Sequence, residues 1–145
     1  MKVKIKLDNV EVNLPQYAHA GDAGMDVRAN IKEDITIRSL ERVLIPTGIR
    51  VAIPEGYEIQ VRPRSGLELK HGVSVCNTPG TIDCGYTNTI GVILINLSNE
   101  PFTVHPNDRI AQIVLNKVEK IEWIEVDSLE TTERGLDGFG SSGVK

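Results

Sequence analysis

Apolar residues in this chain arrive in short bursts, each cut off by glycine, proline or an Asp/Asn turn, and that punctuation limits the chain to short strands. Val3, Ile5 and Leu7 alternate with lysines, and Val10, Val12 and Leu14 extend the alternation past Asp8-Asn9. Ile35 and Ile37 share one face between polar partners. Val43–Ile45, Ile49–Ile53 and Tyr57–Val61 follow, separated by Pro46, Pro54 and Gly56. Val92–Leu97 is almost continuously apolar, the pattern of a strand buried on both faces. Ile110–Val118 and Ile121–Val126 read as the last strands. Such a series fits an all-β sandwich or barrel. One short helix stands out: Ser65-Gly66-Leu67-Glu68 has the form of a capping box, and Gly72 is placed to close the far end.

A length of 145 residues suits one domain. Aromatic residues make up only 4% of the chain, so Val, Ile and Leu have to fill the interior. From Asp127 onward the residues are mostly polar, with glycines at 135, 138, 140 and 143. Too little apolar surface is left there to order the segment alone, so residues 127–145 read as an arm that needs a partner or a ligand. The net charge of −4 is spread along the chain, which excludes a basic stripe for nucleic acid or for a membrane surface. The start, Met1 to Leu7, alternates charged and apolar residues unlike a signal peptide, and no run approaches a membrane span. Cys76 and Cys84 are too few for a disulfide framework and match no zinc spacing, which points to a reducing cytoplasm. With His19, His71 and His105 scattered, any metal is expected to be a hard cation brought in with a phosphate ligand.

Five polar islands hold more than a connecting turn requires. Ala20-Gly21-Asp22-Ala23-Gly24-Met25-Asp26-Val27 places Asp26 at a strand start, where it can help to hold a hydrated cation. Arg62-Pro63-Arg64-Ser65-Gly66-Leu67 brings a bidentate donor, Arg64, beside the free amides of a helix start, a combination that suits phosphate. Asn77-Thr78-Pro79-Gly80-Thr81-Ile82-Asp83-Cys84-Gly85-Tyr86 packs turn formers around one carboxylate and one tyrosine. A carboxylate on a rigid hairpin can act as a general base, and the tyrosine can wall a small-molecule pocket. Asp108-Arg109-Ile110-Ala111-Gln112 enters a strand. The last island, Arg134-Gly135-Leu136-Asp137-Gly138-Phe139-Gly140-Ser141-Ser142-Gly143, is not a G-x-x-x-x-G-K-[ST] loop, yet its Arg, Phe and Ser residues can close over a nucleotide.

In this order and spacing the five islands resemble the motifs of the trimeric dUTPase (dUTP pyrophosphatase) family, from Ala20 to Gly143. The resemblance implies an all-β, jelly-roll-like distorted barrel over residues 1–126. It also implies an arm, 127–145, that closes over the active site of a neighbouring subunit in a homotrimer. The implied reaction is hydrolysis of dUTP to dUMP and pyrophosphate with Mg2+. Asp83 would be the base that activates water for attack on the α-phosphorus. Tyr86 would pack under the deoxyribose and leave no room for a 2′-hydroxyl. Asn77 and the backbone at Gly80 would read the uracil edge. Arg64, Ser65, Gly66 and Gln112 would hold phosphates, and Asp26 and Gln112 would meet the metal through water. Arg134, Gly140, Ser141 and Ser142 would close on the triphosphate, with Phe139 stacked on uracil.

After Tyr86 the family often has Arg-Gly-Glu, whereas this chain has Thr87-Asn88-Thr89. Asn88 is therefore expected to take over the left-handed turn of the glycine, and an ion pair near the hairpin is expected to be lost. A dCTP deaminase shares this fold but carries a catalytic glutamate on the strand after the hairpin; Ile90-Gly91-Val92-Ile93-Leu94-Ile95 holds no carboxylate. A regulatory binding protein on the same scaffold is the other competing reading.

Overall fold

The computed structural model of the chain describes residues 1–138. Eleven strands and one helix occur among them: β1 (Lys4–Leu7), β2 (Met25–Arg28), β3 (Ile35–Ile37), β4 (Arg42–Pro46), β5 (Ile49–Ala52), β6 (Tyr57–Arg62), α1 (Ser65–His71), β7 (Val73–Val75), β8 (Gly80–Ile82), β9 (Gly91–Asn96), β10 (Phe102–Val104) and β11 (Arg109–Lys117). The fold is all-β, as the punctuation predicts. Its ladders form four antiparallel sheets, not one closed ladder: β2-β11-β6-β8, β4-β9-β7, β1-β5 and β10-β3.

The sheets wrap one aliphatic core in which Ile37, Ile45, Ile49, Ile90, Val92 and Leu94 have essentially no exposed surface. Each such side chain contributes about 1.5–3 kcal/mol of burial free energy. The one buried amide, Asn96, is fully satisfied. Its Nδ2 donates to the carbonyls of Ile37 (2.9 Å) and Glu100 (2.7 Å), and its Oδ1 accepts from the Ser98 amide (2.9 Å) and hydroxyl (2.7 Å). No helix among the described residues is long and apolar enough to cross a membrane.

Four expectations change. Val10, Val12 and Leu14 continue no strand; the chain turns after Leu7 and runs over the surface, with Val10 fully exposed. Ile121–Val126 is not a strand either, because no ladder among the described residues receives it, and Ile121, Trp123 and Ile124 lie open to solvent. β9 alternates, and is not buried on both faces: Val92 and Leu94 point into the core, while Ile93 and Ile95 stay partly exposed. On that outer face the exposed Leu44 of β4 pairs across from Ile93 and lies over Gly91. Finally, the capping box does not form. Arg64 is the N-cap, without a side-chain cap bond, and Ser65 is already the first helical residue.

Candidate active site

Four of the five islands meet on the β2-β11-β6-β8 sheet. In its register, Asp26 of β2 lies opposite Gln112 of β11, and Gln112 lies opposite Arg62 of β6. Cross-strand partners share a face. Asp26, Gln112 and Arg62 therefore form a row on the outer side, while neighbours such as Val27, Ile113 and Val61 point into the core. Islands far apart in sequence become adjacent because each begins or ends a strand of this one sheet.

Around that row the side chains lock one another. Asp26 accepts from Arg64 Nε at 3.0 Å and faces Arg109 Nε at 3.6 Å. Arg64 also donates to the Arg109 carbonyl (3.2 Å), which ties the second island to the fourth. Gln112 Nε2 donates to the Pro63 carbonyl at 2.9 Å, and its Oε1 lies against Gly24, where any side chain would collide with it. Beside the row opens a cleft of about 840 Å³ lined by Tyr17, Asp22, Asp26, Arg28, Arg109 and Gln112 among others. With Arg28 and Arg109 set against Asp22 and Asp26, the cleft suits an anion that brings its own cation.

The helix start borders this cluster. Its first hydrogen bonds are those of the Leu67 and Glu68 amides to the Arg64 carbonyl, at 3.0 and 3.1 Å. The amides of Ser65 and Gly66 precede the first intrahelical bond, so they need other partners. Both residues are exposed, and the space where a Gly66 side chain would stand is open. At the far end Gly72 adopts the left-handed conformation (φ 65°), as expected of a closing glycine.

The hairpin leaves from the other edge of the sheet. Gly80 is buried opposite Val61, with Asn77 Nδ2 packed over it, so that an added Cβ would meet this nitrogen at 3.2 Å. Asp83 is exposed, its carbonyl accepting the Tyr86 amide at 3.1 Å in a turn that carries Gly85 at φ 96°. Asn88 does not take a left-handed conformation, contrary to expectation. The positive φ falls on Gly85, and the Asn88 side chain accepts from the Thr89 amide at 2.8 Å. Extending the β8 ladder, Asp83 lies four residues past the level of the Asp26–Gln112–Arg62 row, roughly 13 Å along the strand direction. The chain thus brings Asp26, Arg64, Ser65, Gly66 and Gln112 together but holds Asp83 well away from them.

A model of the dUTPase family matches residues 10–143. The chain belongs to the dUTPase family. It is 62% identical over 143 residues to the deoxyuridine 5'-triphosphate nucleotidohydrolase of Fusobacterium nucleatum, covering 98% of each chain. To the protein of the same name from Finegoldia magna it is 51% identical over 142 residues, 97% of this chain and 99% of the other. Among solved structures, a mutant dUTPase of Staphylococcus bacteriophage 80alpha with dUpNHpp superimposes with a TM-score of 0.86 at 28% identity, covering 99% of both chains.

Among residues 127–138, Arg134 is exposed and folds back so that its Nε donates to the Asp137 carbonyl at 3.2 Å. The expectations for Phe139, Gly140, Ser141 and Ser142 lie outside the described residues. Sequence reasoning did not single out Arg109, Gly24 or Tyr17. Arg109 and Gly24 stood inside islands, but only the side-chain contacts of the folded chain reveal that Arg109 faces Asp26 and that Gly24 makes room for Gln112. Tyr17 lies in a loop with no patterned neighbours, so no sequence signal marks it.

Proposed function

We propose that this chain hydrolyses dUTP to dUMP and pyrophosphate, and that it does so as a homotrimer in the cytoplasm. The observation that carries the reading is the row of Asp26, Gln112 and Arg62 beside the Ser65-Gly66 helix start, in a chain of the dUTPase family. Arg64 and the amides of Ser65 and Gly66 hold phosphate oxygens, with Gln112 beside them. Asn77 and the Gly80 backbone read the uracil edge, and the Tyr86 ring excludes a 2′-hydroxyl. Asp83 accepts a proton from water as the water oxygen bonds to the α-phosphorus. The bond to the bridging oxygen breaks in line, and pyrophosphate leaves with that oxygen. From the arm, Arg134, Gly140, Ser141 and Ser142 grip the triphosphate while Phe139 stacks on the base.

Among the described residues no three His, Cys, Asp or Glu side chains are placed to hold a metal. The side-chain oxygens of Asp26 and Gln112 on one face of the sheet are hard donors that suit Mg2+, which keeps several waters and takes phosphate oxygens as further ligands. Asp26 and Gln112 would hold it through water, and the bound ion would neutralise charge on the triphosphate. The trimer is supported by the distance between Asp83 and the phosphate-side row, which asks for a second copy to complete the site. It is supported too by the open apolar residues Leu44, Leu97, Ile121, Trp123 and Ile124. Two free cysteines fit a reducing cytoplasm.

The deciding experiment is pyrophosphate release from dUTP, dTTP, dCTP and UTP with Mg2+, each repeated with EDTA. Selective, Mg2+-dependent turnover of dUTP is expected. Ammonia release from dCTP, or no selective turnover of dUTP, would overturn the reading.

A further inference from the structure

The two legs of the hairpin are anchored in different ways. The entering leg is β8, paired with β6, and Asp83 follows directly from it. The leaving leg, Tyr86 to Thr89, belongs to no strand and is anchored by side chains. The Tyr86 hydroxyl donates to the Thr89 carbonyl at 3.0 Å. The Thr89 hydroxyl donates to Asp8 Oδ2 at 2.6 Å, and Arg50 Nε donates to the other oxygen, Asp8 Oδ1, at 2.6 Å. These two donors hold the Asp8 carboxyl below its usual range, the Thr89 hydroxyl being the larger cause.

The far end of this relay is fixed to the core. The Asp8 amide donates to the Gly48 carbonyl at 2.8 Å, and the amide of buried Ile90 donates to the Ile49 carbonyl at 2.8 Å. The Ile90 carbonyl in turn accepts from the amide (3.0 Å) and hydroxyl (2.7 Å) of buried Thr47. Residues 47–50 thus fasten both partners of the relay, Asp8 directly and Thr89 through Ile90.

We propose that Asp8 and Thr89 are positioning residues that hold the Tyr86 ring in place and so set the preference for deoxyribonucleotide over ribonucleotide. The proposal rests on the reading that Tyr86 walls the sugar. Excluding one hydroxyl requires a wall that does not yield, because a ring free to shift by about one bond length admits the extra oxygen. Tyr86 is partly exposed on a hairpin tip, so its own packing does not supply that rigidity. The relay does, through the carbonyl that receives the phenol. Asp83 hangs from the other leg, so loosening the relay changes selectivity and leaves the chemical step largely intact.

The test measures kcat and KM for dUTP and UTP in Thr89→Val, Thr89→Ser, Asp8→Ala and Tyr86→Ala. Thr89→Val keeps the shape of the side chain and removes its hydroxyl. Thr89→Val and Asp8→Ala are expected to lower the dUTP/UTP ratio of kcat/KM roughly tenfold, with kcat for dUTP within about threefold of the parent. Thr89→Ser restores the hydroxyl and is expected to keep the parent ratio. Should Asp8→Ala fail to fold, the valine–serine pair decides by itself. An unchanged ratio in Thr89→Val, with the ratio collapsed in Tyr86→Ala, overturns the relay and leaves Tyr86 as the sugar wall. An unchanged ratio in Tyr86→Ala overturns the reading of Tyr86 and the relay with it.

Discussion

Asp83 stands on a hairpin tip with solvent around it, so the base proposed for it would depend on geometry supplied by bound substrate and not on a buried environment. In that proposed role, replacing it with asparagine would remove the proton acceptor and almost none of the binding surface. Asp83→Asn is expected to lose roughly 10²–10⁴-fold in kcat while retaining affinity for a non-hydrolysable dUTP analogue. Single-turnover kinetics and calorimetric titration check the two halves of that statement. At the opposite extreme is His105, which takes no part in the proposed site. Its Nδ1 lies 2.9 Å from Asp34, and this contact raises its pKa above the ordinary histidine value. A raised pKa means that the pair stabilises the fold fully below about pH 6.5 and ceases to do so as the pH climbs through the folded-state value. An NMR titration of His105 is expected to give a midpoint above that of a free histidine, falling in Asp34→Asn, which removes the larger of the two acidic neighbours' effects. Asp83 and Tyr86 stand out in the sequence because turn residues surround chemically useful ones. Arg109 was not singled out, because nothing local records that the strand after it will run beside Asp26.

Among the elements, those with long alternation were read correctly. β6 and β11 pair over six residues, from Gln112 opposite Arg62 to Lys117 opposite Tyr57, and both stood out as periodic runs. Val10–Leu14 and Ile121–Val126 show a similar apolar rhythm yet form no strand, since alternation signals a strand only where a partner edge exists. β3 and β10 both have three residues, yet only β3, with matching isoleucines on either side of Thr36, showed its period; Phe102 and Val104 stand between Pro101 and His105-Pro106, which break the rhythm. The helix illustrates the same limit at its start. Ser65 and Glu68 have capping-box spacing, but the chain enters the helix one residue earlier, with Arg64 as the N-cap. Its end was legible because the requirement there is purely local. Gly72 has φ 65°, and a Cβ on it would come within 2.9 Å of the Ser98 Cβ and 3.0 Å of the Ser98 amide. Gly72→Ala is therefore expected to cost at least about 1–2 kcal/mol, read as a lower urea midpoint with an unchanged slope. An unchanged midpoint would show that the loop carrying Ser98 yields freely.

The whole molecule displays surfaces that a solitary chain has little reason to keep. Leu44 and Ile93 sit together on the outside of one sheet, and Trp123 and Ile124, a few residues past β11, have almost no cover among the described residues. The gap between Asp83 and the Asp26–Gln112–Arg62 row gives such surfaces a genetic meaning. If a site takes its phosphate side from one subunit and its base from another, two different lesions need not fall in the same site. Subunits of Asp83→Asn and of Arg64→Ala, each inert alone, would in randomly assembled trimers place two sound halves together in about a quarter of the sites. Mixing the two preparations under conditions that exchange subunits is then expected to restore dUTP turnover. A mixture that stays inert after exchange would mean that every site is built from a single chain.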